Sequence, residues 1–404
     1  MSAATEVVGI VAEYNPLHQG HVAQIKAVRK AFGDAPIVIA LTGAFVQRGE
    51  PAVADPWTRA RWALHAGADL VVELPAIFAL RSAEHFAAGG VRLLHAVGVT
   101  TLVCGAENPD LAALKKLADG PNPTALQTAL AQGLSYPAAM EAAFAATDPD
   151  IAPLLRTPNN ILAAGYLRAI ERYAPSLCLA PLPRERSDSA EGIAGISGSA
   201  VRARLQEGLV PRDMLPAYTY DDLSEALRAG VFPQPERYEL LALQALRLLT
   251  PATLAQLGEF SEGLEDRWYA ARNAATLAEF WNDVKTKRYP QTRLSRLLVQ
   301  VLLGMHRQDL NDAAKTDPAW LYPLAFTARG AALLRNVTLP ILDRYGKMRK
   351  TLPPQVVNRL VYDERATDLA ALCCANPEYR AGGARFYRRP VTMNEEARAF
   401  IADP

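Results

Sequence analysis

Cysteine is scarce in this 404-residue chain: Cys104, Cys178, Cys373 and Cys374, with no C-x-x-C pair. That excludes a disulfide framework and the common zinc spacings, and it suits free thiols in a reducing compartment. No apolar run approaches the ~18 residues that span a bilayer. The N-terminus lacks the basic-then-apolar pattern of a leader. The expectation is a cytoplasmic protein without membrane contact. Excess charge is also missing, with 43 basic and 42 acidic side chains giving +1. A generally basic nucleic-acid coat is excluded, but a local patch is not: residues 1–200 carry net −3 and residues 201–404 net +4. Fixed-period repeats and low-complexity tracts are absent. Half the residues are apolar and 21% are charged, the composition of a globular chain.

At ~150 residues per domain the length suggests two or three domains. The first 110 residues alternate short apolar runs with helical stretches. Strands are predicted at Val7–Ala12, Pro36–Leu41, Asp69–Leu74 and Thr100–Cys104, and helices at Gly20–Phe32, Thr58–Ala66 and Ser82–Val97. That rhythm specifies a parallel sheet covered by helices. Ligands of such sheets bind beyond the C-terminal strand ends, where loops 13–21, 42–56, 75–81 and 105–109 would lie. A further helix is predicted at Asn159–Tyr173 and a strand at Ser176–Pro181. The Pro- and Asp-rich stretch 211–235 reads as a linker, 236–305 as mostly helical, and 306–404 as mixed.

Directly after the first strand comes Glu13-Tyr14-Asn15-Pro16-Leu17-His18-Gln19-Gly20-His21. A helix starting near Gln19 would hold both imidazoles at its N-terminus, where free N–H groups and the dipole favour an anion. Two histidines add donors without a fixed charge, and Gly20 allows close backbone approach. The pattern suits charge stabilisation on a reacting α-phosphate rather than covalent catalysis. Two other readings are a pair of metal ligands and a pair of plain caps. No further His, Cys or carboxylate cluster is spaced to complete a metal site, so no metal ligand is assigned. Farther on, Gly195-Ile196-Ser197-Gly198-Ser199-Ala200-Val201-Arg202 has a serine cap opening a helix with an arginine in its first turns. Its hydroxyl, N–H groups and Arg202 suit a pyrophosphate.

An H-x-G-H after a first strand, followed by that serine turn, resembles the HIGH-motif nucleotidyltransferase superfamily. Further strings narrow the resemblance: 42–51 (TGAFVQRGEP), 55–60 (DPWTRA), 73–75 (ELP), 82–86 (SAEHF), 104–107 (CGAE), 157–163 (TPNNILA) and 288–298 (RYPQTRLSRLL). Together they resemble the bacterial tRNA(Met) cytidine acetate ligases, from about residue 7 to about 305. The resemblance implies an α/β fold: a Rossmann-like HIGH-type nucleotide-binding catalytic domain with a parallel sheet at 1–215, then a mainly α-helical tRNA-binding region at 216–404. It implies that ATP activates acetate as acetyl-adenylate, that the acetyl group passes to N4 of the wobble cytidine of elongator tRNA(Met), and that Mg²⁺ accompanies ATP. No protein partner is implied.

Carried over by position, the resemblance places ATP against Val11, Ala12, Glu13, Tyr14, Asn15, Pro16, Leu17, His18, Gln19, Gly20, His21, Val22, Ala23 and Gln24. It adds Gly105, Asn160 and Arg184, with Arg186 as the alternative to Arg184. Ser197 and Arg202 complete the set, and His18 and His21 are the catalytic pair. The chain departs from the family pattern at Ser189, where Tyr or His is frequent nearby, and at Gly198, where Ala is usual.

Arg48, bracketed by Gly43 and Gly49, can hold a phosphate, the acetate or the tRNA, or lie in a surface ion pair. Asp55 can cap a helix or orient Arg59. Between 285 and 307 lie Lys285, Lys287, Arg288, Arg293, Arg296 and Arg307 with no acidic residue. Lys285, Lys287, Arg288, Arg293 and Arg296 are the assigned RNA contacts. Two smaller clusters are Arg344, Lys347, Arg349 and Lys350, and Arg380, Arg385, Arg388 and Arg389. The competing functions are adenylylation of a small phosphorylated metabolite and non-catalytic nucleotide and RNA binding.

Overall fold

A computed structural model describes residues 6–183, 196–261, 263–286, 289–394 and 399–401. The β-branched runs form the strands β1 (Val8–Ala12) and β2 (Ile37–Thr42). A small hairpin follows, β3 (Phe45–Val46) and β4 (Glu50–Pro51). Then come β5 (Leu70–Leu74), β6 (Thr101–Ala106) and β7 (Cys178–Pro183). β1, β2, β5, β6 and β7 are mutually parallel, with Ile10 opposite Ile39, Ile39 opposite Val71, and Leu102 opposite Leu179. These five strands fall within two residues of their predicted bounds. The helices Gln19–Phe32, Pro56–Ala66, Ala83–Ala96 and Pro158–Tyr173 match equally closely.

The period of two along each strand supplies two cores. Val38, Ala40, Leu70 and Val72 face one layer with Phe86, Leu94 and Tyr166. Ile37, Ile39, Leu41 and Val71 face the other with Ile25, Trp57 and Trp62. A separate helical core gathers Leu243, Leu246, Trp268, Phe280, Leu294 and Leu298.

Residues beyond 216 are mainly helical, but they also return three strands to the sheet. β8 (Pro323–Thr327) runs antiparallel to β5, β9 (Val391–Asn394) runs parallel to β8, and β10 (Ala399–Ile401) closes the edge. The full order is β10-β9-β8-β5-β2-β1-β6-β7. These strands escaped the sequence because β8 opens on a proline, and β9 and β10 have only four and three residues. The stretch 211–235 is not simply a linker. It holds the helix Ala217–Ala229, which buries Thr219 and Leu223 and ends at Gly230 in the left-handed region.

One buried ion pair fastens this return. Arg385 donates Nη1 to Glu73 Oε2 at 2.7 Å and Nη2 to Oε1 at 2.5 Å, with both side chains at most 2% exposed. Beside them Asp363 Oδ1 accepts the Ala76 N–H at 2.7 Å, while its buried Oδ2 has no hydrogen-bond partner among the described residues. Burial, and then the Glu73 charge, push the Asp363 carboxyl up to about 8.

Arg385→Ala is expected to lower the unfolding free energy by about 3–5 kcal/mol in chemical denaturation, because it strands Glu73. Asp363 gives a pH signature. Between its unfolded value near ~4 and its folded value, the unfolded chain releases a proton that the folded chain keeps. This contribution to stability is therefore full below about pH 4 and lost as pH rises toward about 8. Asp363→Asn is expected to flatten that fall in denaturation series run between pH 5 and 8.

Candidate active site

The loop after β1 is built almost without slack. Val11 and Ala12 end the strand, Glu13 is half-buried, and Tyr14, Asn15, Pro16, Leu17 and His18 are buried. Tyr14 takes φ 44°, a left-handed conformation rare for a bulky residue, and the Asn15–Pro16 bond is cis. Gln19 then begins the helix whose first turns carry Gly20, His21, Val22, Ala23 and Gln24.

The two histidines cap that helix themselves. His18 Nδ1 accepts the Gly20 N–H at 3.1 Å, and His21 Nδ1 accepts the His18 N–H at 3.3 Å. Their rings stack with centroids 3.8 Å apart, and Tyr14 meets His21 edge-on at 4.9 Å. Capping and chemistry are thus one arrangement. Because each Nδ1 accepts, each neutral ring carries its proton on Nε2, the tautomer that donates to an oxyanion. A Cβ at Gly20 would come within 3.0 Å of the His18 ring, so a side chain there would crowd it.

The serine turn meets the same loop. Ser197 Oγ accepts the Ala200 N–H at 3.2 Å and opens the helix Gly198–Gln206. Arg202 donates Nη1 to the Asn15 carbonyl at 2.8 Å and pairs with Glu50 at 3.2 Å. A Cβ on Gly198 would approach the Asn15 carbonyl to 3.1 Å, so the departure from Ala relieves a tight approach. Two helix N-termini therefore converge beyond the end of β1. Asn15 lies between them. Its Oδ1 accepts the Val53 N–H at 2.8 Å, while its buried Nδ2 has no hydrogen-bond partner among the described residues. A buried donor without an acceptor is the mark of a site built for a ligand oxygen.

Arg59, weighed in the sequence only as a partner of Asp55, holds these loops in place. Its buried guanidinium donates to the carbonyls of Glu13 (2.6 Å), Ala54 (3.0 Å), Thr42 (3.0 Å) and Gly43. Burial depresses its pKa to about 10 despite the charges of Asp55, Glu13 and Glu73. Asp55 instead caps its helix, accepting the Thr58 N–H at 2.9 Å. The Glu13 carboxylate accepts the Gln47 N–H at 2.8 Å, and burial raises its pKa. No sequence pattern marks an arginine whose acceptors are nearly all main-chain oxygens.

Gly105 sits half-buried near the C-terminal end of β6, beside Leu182 of β7. Asn160 is 2% exposed and engaged by the protein. It accepts the Asn108 N–H at 3.0 Å and donates to Thr157 Oγ1 at 2.6 Å. The structure thus places Asn160 as a clamp on the loop after β6. Arg184, Arg186, Ser189, Lys287 and Arg288 lie outside the described residues.

Of the basic stretch, Lys285 is exposed at the end of the helix Leu277–Val284. Arg293 and Arg296 share the helix Gln291–Leu303. Arg293 donates to Ser261 Oγ at 2.6 Å and lies over the Tyr289 ring, and Arg307 pairs with Glu265 at 3.4 Å. In the smaller clusters, Arg349 is tied to Glu364 and Arg385 to Glu73, leaving fewer surface cations than the sequence suggests. Among the described residues, no group of three or more His, Cys, Asp or Glu is placed to hold a metal ion, and no helix is long and apolar enough to cross a membrane.

Arg59→Lys is expected to lower the unfolding free energy by about 2–3 kcal/mol, because one ammonium cannot reach acceptors spread over four residues. Arg61→Lys, in a half-exposed pair with Asp222, is expected to change it by less than about 1 kcal/mol in the same denaturation series.

Comparison with known proteins supports the geometry. A family model described as HIGH Nucleotidyl Transferase matches residues 5–384. A tRNA(Met) cytidine acetate ligase of Acetivibrio thermocellus is 33% identical, covering 96% of this chain and 100% of the relative. The protein of that name from Syntrophomonas wolfei is 35% identical, covering 95% and 99%. Among solved structures, Thermotoga maritima TmcAL bound with alpha-thio ATP superposes with a TM-score of 0.86 at 27% identity, covering 96% of this chain and 100% of that one. Its apo form gives 0.88 at 28%, with the same coverage. The chain belongs to the tRNA(Met) cytidine acetate ligase family of the HIGH nucleotidyl transferases.

Proposed function

We propose that this chain is an ATP-dependent ligase that acetylates N4 of the wobble cytidine of elongator tRNA(Met), using acetate rather than a thioester. The observation that carries the reading is the convergence of two capped helix N-termini, with His18, His21 and the orphaned Asn15 amide, beyond the end of β1. A carboxylate oxygen attacks the α-phosphorus of ATP. The new P–O bond gives acetyl-adenylate, and the bond to pyrophosphate breaks. The cytidine N4 then attacks the acetyl carbonyl, AMP leaves, and the amine proton passes to solvent or to the departing phosphate.

In the first step charge accumulates on the α-phosphate oxygens. The Nε2–H donors of His18 and His21 and the helix dipole sit where that charge develops, so they favour the transition state over the ground state. Asn15 Nδ2 supplies a further donor. Arg202 and the N–H groups of Gly198 and Ser199 in the first turn of that helix suit the leaving pyrophosphate, and Asn160 fixes the loop after β6. A Mg²⁺ ion bound with ATP would supply charge neutralisation at the phosphates, and no group of the described residues is assigned to hold it. Arg184 belongs to the same proposed site. Lys285, Lys287, Arg288, Arg293 and Arg296 are the proposed RNA contacts.

The test uses purified protein, ATP, Mg²⁺, labelled acetate and unmodified elongator tRNA(Met). Label is expected in N4-acetylcytidine after digestion. His21→Ala is expected to cut the rate by roughly 10²–10³-fold, the scale for losing one oxyanion donor. Absence of label from a folded, tRNA-binding protein would overturn the reading. Acetate-dependent ATP–pyrophosphate exchange would then separate a different acceptor from a protein with no activation chemistry.

A further inference from the structure

The β3–β4 hairpin has a three-residue tip, Gln47, Arg48 and Gly49, and that tip is held on four sides. The Gln47 N–H binds Glu13 at 2.8 Å, and Gln47 Nε2 reaches the Arg81 carbonyl at 3.4 Å. Tyr238 donates its hydroxyl to the Gly49 carbonyl at 3.4 Å. Gly49, at φ 80°, lies so close to the helix Gln291–Leu303 that a Cβ would sit 2.4 Å from Ser295 C and 2.5 Å from Arg296 N. The next residue, Glu50, pairs with Arg202. The tip therefore touches the first motif, the serine-turn helix and the basic helix together.

Two guanidiniums stand at this seam without a hydrogen bond or ion pair among the described residues. Arg48 is exposed at the tip, and Arg296 is half-buried on the helix that Gly49 touches. The carboxylates near them are already engaged. Glu13 takes the Gln47 N–H, Glu50 takes Arg202, and Glu259 takes Arg81 at 2.5 Å and Gln300 at 3.2 Å. The seam is left with excess positive charge on a braced loop. Burial disfavours the charged form of Arg296, the Glu259 charge offsets part of that, and Arg293 adds to it, so a further anion would favour the charged form.

We propose that Arg48 and Arg296 form a clamp for a backbone phosphate of the RNA substrate beside the reacting cytidine. This assignment rests on the ligase reading above. Arginine forks match phosphate oxygens in pairs, and a braced tip loses little freedom on binding. The ATP phosphates are the other source of the same chemistry. The RNA is favoured because Arg48 is exposed at the tip and Arg296 lies on the basic helix that the tip abuts, whereas the proposed ATP donors are the imidazoles and the helix N-termini at Gln19 and Gly198.

The experiment compares Arg48→Ala, Arg296→Ala and the double variant with the unaltered protein. It measures acetate-dependent ATP–pyrophosphate exchange without RNA, tRNA binding across a salt series, and single-turnover acetyl transfer to tRNA. Exchange is expected within about twofold, with tRNA Kd raised roughly tenfold by each change. The slope of log Kd against log salt is expected to fall by about 0.7 for each phosphate no longer neutralised. Exchange and transfer falling together would overturn the proposal in favour of a role at ATP. Unchanged tRNA binding and transfer would overturn it outright. Arg48→Ala, at an exposed position, carries the test if Arg296→Ala fails to fold. No transfer by the unaltered protein would instead be a failure of the ligase reading.

Discussion

The nucleotide end of this molecule hangs on one buried guanidinium. Arg59 gathers the carbonyl oxygens of Glu13, Thr42, Gly43 and Ala54, and so fixes the spacing of the loops that leave β1 and β2. Without it those carbonyls would be desolvated and unpaired, a heavy cost inside a protein. With it, the Tyr14 backbone is held at a rare φ, Asn15 is presented to the Val53 N–H, and the histidine cap follows. A cation matched to main-chain oxygens also leaves the nearby carboxylates available. Glu13 can take the Gln47 N–H, and Glu50 can take Arg202.

The same economy appears in the imidazoles. A serine or aspartate would cap the helix at Gln19 as well as His18 does. Histidine does so with one nitrogen and carries a second ring nitrogen that can donate. The cap sets the tautomer, and the tautomer sets the donor. In the proposed mechanism the helix start and oxyanion stabilisation depend on the same imidazoles, so disturbing one disturbs the other.

The sequence made the first half of this legible and the second half much less so. β1, β2, β5, β6 and β7 are apolar runs between strong helical stretches, so period and length are enough to find them. The first motif and the serine turn were visible because their chemistry is local, with residues three or four apart acting together. What stayed hidden is long-range. Arg59 serves acceptors on other loops, Arg385 looks like one more surface cation, β8 opens on a proline, and β9 and β10 are too short to carry a period. Asn160 was found by resemblance, but its engagement with Asn108 and Thr157 needed the fold. At the tip the sequence leaves Arg48 with several possible partners, because the bracing by Tyr238 and Ser295 comes from distant elements.

The return of the C-terminal strands has a consequence for how the chain is made. Glu73 and Arg385 are 312 positions apart, so on a ribosome adding ~5–20 residues per second the carboxylate waits roughly 15–60 s for its partner. Until β8 emerges, β5 is an open sheet edge, and near its end Glu73 carries a charge destined for burial. A nascent chain in this state can assemble β1, β2, β5, β6 and β7 but cannot seal them. The carboxylate keeps that edge hydrated and discourages pairing with a neighbouring nascent chain. The ion pair that locks the finished sheet thus begins as the charge that guards the unfinished one.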